Sequence, residues 1–493
     1  EMCIRDRTNT TAAFVGRALR GPLDTPILIH SLAEFRRRFG GFWQGSSLGP
    51  AVEQFFMHGG KRTYIIRVAN AARGAMICLP AARGVLVLRA TEVGSAEHIR
   101  AAIDYDGIDP DDDALFNLTI QRVSPDNGLV LDQEIFRRLT CVDGEERNVA
   151  DVLATSALAR AKTPLPGGRP VSTSADYVEP AQTGTDGQPL SDYDLIGSAN
   201  RSTGLFALNQ VEQFDLLYLP PPGPGRVPGP AAVLAAELYC RKRGAMLILD
   251  PPEHWKSPYD AIRGTRQAGY ANVDALSYFP RAKNRGEQGG PSIAIGGAIA
   301  GLLCKLDRTR GPWEDLDQAG LTLSRALIPA VDIFSSDAHL LVKEGLNVLA
   351  GQSPGHAMIC GSVTLAHGTQ GSDQFADLRH RRLCLMITNA IDRATRWAVF
   401  EPNAVTARER IVNKVHAFMC ALSDAGAFEN DRFLVQCDAG TRDKPVDPDN
   451  GITILLAFLP AGARESVAIT IHQTASGCRV SRTAFAPVRA DVA

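Results

Sequence analysis

No apolar run in the sequence is long enough to cross a membrane. The longest, residues 291–303, is glycine-rich and too short for ~30 Å of hydrocarbon. No basic-then-apolar leader is expected either. The ten cysteines (Cys3, Cys78, Cys141, Cys240, Cys304, Cys360, Cys384, Cys420, Cys437 and Cys478) stand singly, without a C-x-x-C pair. That spacing suits neither a zinc site nor a disulfide framework. Several sit in apolar stretches such as Leu302-Leu303-Cys304, where a thiol behaves as a small hydrophobe. A reducing cytoplasm fits this usage best. The ten histidines form no H-x-x-x-H or H-E-x-x-H pairing. His30, His58, His356, His367 and His416 read as surface or hydrogen-bonded residues rather than metal ligands. An excess of one charge is missing too. Fifty-two basic against fifty-four acidic residues leave −2, so no overall field gathers nucleic acid or an anionic membrane, and the expected partners are proteins.

What is present is ordinary for a globular protein: 45% apolar and 22% charged residues over 493 positions, enough for about three domains. Residues 1–7 match nothing that follows and are expected to be foreign to the native start. Residues 11–16 and 25–30 read as strands. Ser31, with Glu34 three residues on, forms a capping box for a helix over 32–39, stopped by Gly40-Gly41. A helix over 48–58 and a strand over 62–68 complete this block. From 73 to about 201 the texture changes to short strands (116–122, 129–131) among acidic and Gly/Pro-rich loops, and 163–204 has little periodicity. Strand 214–219, helix 231–243 and strand 245–250 make a strand–helix–strand unit that implies a parallel sheet. Strands are expected at 275–279, 347–349 and 357–360, with a small-residue helix over 292–303. The last block is the most periodic. It has helices at 381–394 and 404–424, a short strand at 398–400, and strands at 432–437, 451–459 and 466–472. On the longer helix Ile411, Val412, Val415, Phe418, Met419 and Leu422 share one side.

Each hint of chemistry fails on physical grounds. Gly351-Gln352-Ser353-Pro354-Gly355 matches G-x-S-x-G, but Pro354 cannot donate the amide that an oxyanion hole takes from that position. The acidic run from Asp104 to Asp113 lacks the Glu that closes a calcium loop. Gly223-Pro224-Gly225-Arg226 lies where a phosphate loop would, yet proline removes amides and no G-K-[S/T] follows. Gly296 to Gly301 suits close helix packing better than a dinucleotide. The basic run Arg379-His380-Arg381-Arg382 has no aromatic stacking platform beside it, and reads as a solvated helix start or a protein interface. No catalytic residues, cofactor or metal site are expected.

The order of segments resembles the contractile tail sheath family of phages, tailocins and extracellular injection systems. Four stretches carry the resemblance: Thr11-Ala12-Ala13-Phe14-Val15-Gly16 with Arg20-Gly21-Pro22; the block from Ser31-Leu32-Ala33-Glu34-Phe35 through Gly59-Gly60 to Val68; Pro354-Gly355 with Gly361 and Thr364-Leu365; and Arg381-Arg382-Leu383 through Ile391 to the Thr395 to Asn403 segment, the long helix and Cys437-Asp438. Cys360 stands where an aromatic is expected and Val363 where an arginine is.

The resemblance implies a mixed α/β, multidomain sheath-type fold. It divides into an N-terminal part of the core (8–72), an outward-facing β-rich insertion (73–204), a middle α/β domain (205–370) and a C-terminal α/β core domain with a terminal arm (371–493). It implies a structural subunit, not an enzyme, that forms stacked rings of six copies around an inner tail tube and meets baseplate and tail terminator proteins. Such a subunit belongs to a virion tail assembled in the host bacterial cytoplasm, without nucleic-acid binding or membrane insertion; a headless device is the alternative. The class of rival set against it is a nucleotide- or substrate-binding α/β enzyme. Two surfaces follow. Arg408, Arg410 and Lys414 on the long helix would meet the tube, or form a solvated charged face. Val467, Ile469 and Ile471 would join a neighbour's sheet, or complete the chain's own.

Overall fold

The computed structural model describes residues 10–124, 127–174, 176–223, 225–286, 290–352, 356–366, 375–400, 404–438, 452–474 and 477–482. The opening heptapeptide, Ser353-Pro354-Gly355, His367, residues 401–403 and the tail from 483 lie outside them.

Short, uninterrupted apolar segments make the central sheet, as burial on both faces demands. Its eight strands run in the order His356–Cys360, Asn347–Gln352, Ala275–Phe279, Met246–Leu249, Leu216–Tyr218, Ala12–Gly16, Thr63–Arg67, Ile27–Ile29. The six inner strands are parallel and each edge strand is antiparallel. The blocks 8–72 and 205–370 thus share one sheet, joined where Ala12 pairs with Leu216. Helices Leu32–Phe39, Leu48–Met57 and Gly296–Thr309 cover one face; Pro230–Arg243, Pro258–Ala268 and Ser335–Lys343 cover the other. Phe14 is fully buried between Phe55 and Tyr218, edge-on to both, which contributes ~1.5–3 kcal/mol of burial. Ser31 caps the first helix as expected, accepting from the Glu34 amide while Glu34 accepts from the His30 amide.

Residues between Arg67 and Leu216 hold two three-stranded sheets about one core: Met76–Ala81, Gly84–Ala90 and Ala159–Ala161, and Ile99–Asp104, Leu115–Val123 and Val130–Thr140. Of the segment expected at 129–131, residues 130–131 open the eleven-residue strand Val130–Thr140 and Leu129 precedes it. Much of 163–204 is irregular but not unpaired. Single bridges at Pro170, Val178, Gln182 and Thr185 tie it to the sheets, so its backbone groups are satisfied without periodicity. This lobe is fastened at its root by Arg67, 2% exposed, whose guanidinium donates to the carbonyls of Ala18, Leu19 and Gly21 in the core and Val93 in the lobe.

The C-terminal unit stacks helices Leu378–Thr395 and Ala404–Asp424 on an antiparallel sheet ordered Phe428–Asp438, Ile452–Pro460, Val467–Thr474, Gly477–Arg482. The strand expected at 398–400 is instead part of the 3-10 turn Arg396–Phe400. The chain must reverse there between two helices, and Trp397 Nε1 donates to the Ala394 carbonyl at 2.7 Å.

Candidate functional site

Two helix starts where an anion could sit are occupied by the chain's own carboxylates, and the serine motif falls in the wrong setting. The G-x-S-x-G match falls across the antiparallel pair Asn347–Gln352 and His356–Cys360, not between a strand and a helix as a nucleophile elbow requires. At the helix that follows the proline-rich loop, the amides of Gly229, Ala231 and Ala232 donate to the Asp192 carboxylate. An anion would find its seat taken. The same holds at Gly296–Thr309, where Asp250 Oδ1 accepts from the Ile295 and Gly296 amides at 3.1 and 3.0 Å. Tyr218 donates its hydroxyl to Asp250. Burial first, and then the neighbouring carboxylate, push the phenol well above its ordinary range; burial raises the Asp250 carboxyl too. That pair braces two strand ends. The carboxylates of the 104–113 run cap local turns: Asp104 accepts from Asp106 and Asn117, Asp109 from Asp111, and Asp112 from Ala114. Among the described residues no three His, Cys, Asp or Glu side chains converge as metal ligands would.

The basic run at 379–382 is neither solvated nor free. Arg382, 6% exposed, pairs with Asp307 at 2.6 and 2.5 Å. Asp307 also accepts from the Thr10 hydroxyl. Arg381 pairs with Asp274, and Arg379 with Asp377 and Asp315. These arginines form the seam by which the C-terminal unit grips the central sheet.

On the long helix, Ile411, Val415, Phe418, Met419 and Leu422 are buried as the periodicity predicts. Arg408, Arg410 and Lys414 are exposed. The i, i+4 pair Arg410 and Lys414 straddles Trp397, at 4.4 and 5.4 Å from the ring centroid. Arg408 lies about 160° round the helix from Arg410, so the three do not form one patch. Val467, Ile469 and Ile471 are 2%, 4% and 0% exposed, packed into the unit's own core. Their strand pairs with Ile452–Pro460 on one side and Gly477–Arg482 on the other. It therefore offers no free edge; the sheet's two outer strands are Phe428–Asp438 and Gly477–Arg482.

A further feature gave no sequence signal. A cleft of about 550 Å³ opens beyond the carboxyl ends of the parallel strands, lined by Trp43, Gln54, Met57, Tyr218, Arg281 and Ile293. Its walls come from segments as far apart as Phe42 and Leu327, which no local pattern links.

No family model matches the chain. A segment is 24% identical over 189 residues to the tail sheath protein of Vibrio phage KVP40, matching 37% of this chain and 27% of that protein. The match thus spans little more than a quarter of that relative's length. The fold is similar to solved structures almost end to end. The sheath tail protein of Listeria innocua aligns with a TM-score of 0.62 at 13% identity, over 96% of this chain and 98% of that one. That of Desulfitobacterium hafniense aligns at 0.55 and 14%, over 96% and 97%. The contracted sheath complex of an extracellular contractile injection system, PVC, aligns at 0.53 and 14%, over 93% and 89%. The chain has the fold of the contractile sheath proteins.

Proposed function

We propose that this chain is the structural subunit of a contractile sheath, built to polymerise around an inner tube and, by contracting, to drive that tube through a target envelope. The observation that supports the reading is the extent of the likeness in fold, which covers 96% of this chain and 98% of the Listeria innocua sheath tail protein. Useful free energy then resides in contacts between copies, as a packing that is bistable between an extended and a contracted lattice.

In this reading the partners are further copies in stacked six-membered rings, the tube protein, and baseplate and terminator proteins at the two ends. The work is done in a tail or injection device assembled in a bacterial cytoplasm. No helix among the described residues is long and apolar enough to cross a membrane. The outer strands of the C-terminal sheet, rather than 467–474, are the edges suited to pairing with a neighbour's strand. Arg408 is the freest of the three basic groups to meet the tube, since Arg410 and Lys414 already lie against Trp397.

Negative-stain microscopy of the purified protein, with and without its tube protein, tests the reading. Rings or tubes are expected. A dispersed monomer under both conditions, at concentrations where a sheath should assemble, would sink it.

A further inference from the structure

We propose that the cleft at the carboxyl edge of the central sheet receives the tip of the inserted lobe's long hairpin from a second copy of the chain. This inference rests on the polymer reading and names one of its contacts.

The cleft lies beside the point where strand order reverses, between Ala12–Gly16 and Leu216–Tyr218, the usual ligand seat of a parallel sheet. Its walls are largely apolar, with Trp43, Met57, Ile293 and Leu327 among them. Within them, Gln54 Oε1, Arg281 Nε and Ser292 Oγ are buried and have no hydrogen-bond partner among the described residues. Gln54 is only 9% exposed, and its amide nitrogen is already committed to the Ala294 carbonyl. An occupant that reaches these atoms would bring a donor for Gln54, an acceptor for Arg281 and either for the Ser292 hydroxyl, on an otherwise apolar body. A peptide group flanked by aliphatic side chains has that make-up. A phosphate does not: Glu53 and Glu253 share the lining, and the adjacent helix starts are capped by Asp192 and Asp250.

The same molecule carries a matching projection. Leu129, Val130 and Leu131 stand in succession at the tip of the hairpin Leu115–Val123/Val130–Thr140, and are 63%, 46% and 52% exposed. Three adjacent aliphatic side chains left in water are a liability unless something covers them. The register pairs Val123 with Val130 and Arg122 with Asp132, so Leu131 has no residue opposite. A bulge of this kind frees the peptide of the extra residue and redirects its side chain. The tip thus offers aliphatic bulk around a residue that stands outside the ladder register. A projection and a hole on different parts of one surface make a head-to-tail contact, which generates an open helical array instead of a closed dimer.

The test uses the full-length chain under assembling conditions. Benzoylphenylalanine placed at position 131 should cross-link, on illumination, to residues around Met57 and Ile293 of another copy, read by mass spectrometry. The substitution pair Leu129→Asp/Leu131→Asp, and separately Met57→Asp, should each raise the concentration needed for assembly at least tenfold while leaving the monomer's melting curve in place. Cross-links confined to one copy, or found elsewhere, overturn the inference. So does assembly of the tip variant at the wild-type concentration. A wild type that never assembles overturns the polymer reading and this inference together; a wild type that assembles alongside undiminished tip variants overturns this inference alone.

Discussion

His58 shows how much one buried ring fixes. Its Nδ1–H donates to the Gln54 carbonyl at 2.7 Å, and its Nε2 accepts from the Ser324 amide at 2.9 Å. That pattern holds only for the neutral tautomer, and burial lowers the ring's pKa below its ordinary value. The unfolded chain therefore takes up the proton first as pH falls. The stability contributed by His58 is present above the ordinary value and is lost as pH drops through the folded one. Melting temperature should fall between about pH 7 and pH 5, and the fall should shrink in His58→Gln, as calorimetry can check. The Arg382–Asp307 pair has a different signature. Arg382→Ala strands a carboxylate that is 3% exposed, and should cost ~3–5 kcal/mol in urea unfolding. Arg382→Met with Asp307→Leu should recover most of that, because the apolar pair leaves no charge behind.

At the scale of elements, the crossing of Leu48–Met57 and Gly296–Thr309 is as close as backbones allow. A Cβ on Gly297 would lie 2.2 Å from the Ala51 carbonyl oxygen, and one on Gly301 would lie 2.4 Å from that of Phe55. Gly297→Ala and Gly301→Ala should each destabilise the fold by ~1–3 kcal/mol, against the ~1 kcal/mol that alanine usually gains in a helix. Denaturant melts of both variants measure the balance. Close packing of a small-residue helix was legible in the sequence, although it was expected over 292–303, is found at Gly296–Thr309, and its partner was not foreseen; the capped helix 32–39 and the apolar side of the long helix were legible too. Legibility failed where local pattern and tertiary demand part. Residues 398–400 resemble a strand, yet they belong to a 3-10 turn between two helices. The hairpin Met76–Ala81/Gly84–Ala90 was missed because its alternation is weak on paper and depends on the core shared with the neighbouring sheet. The arginines at 379–382 read as a solvated helix start or a protein interface because Asp274, Asp307 and Asp315, with which they pair, lie far back in the chain. The candidate sites suffered the same way: exposure of Arg408, Arg410 and Lys414 followed from periodicity, but the contact of two of them with Trp397 did not.

For the whole molecule, a net charge of −2 makes long-range repulsion between copies small. If strand pairing and apolar contacts dominate assembly, raising salt from about 50 to 500 mM should change the critical concentration by less than about threefold. Sedimentation across that range checks it, and steep loss of polymer would instead point to exposed ion pairs at the subunit junctions. Arg67 has a consequence at this scale as well. Because one guanidinium clasps carbonyls from both the core and the inserted lobe, it ties the lobe's root to the central sheet, and rotation of one should carry the other with it. If the chain is the contractile subunit proposed above and each copy pivots about a common axis, a fluorophore on the hairpin Leu115–Val123/Val130–Thr140 should report the same rotation as one on the central sheet, with a displacement that scales with its distance from that axis.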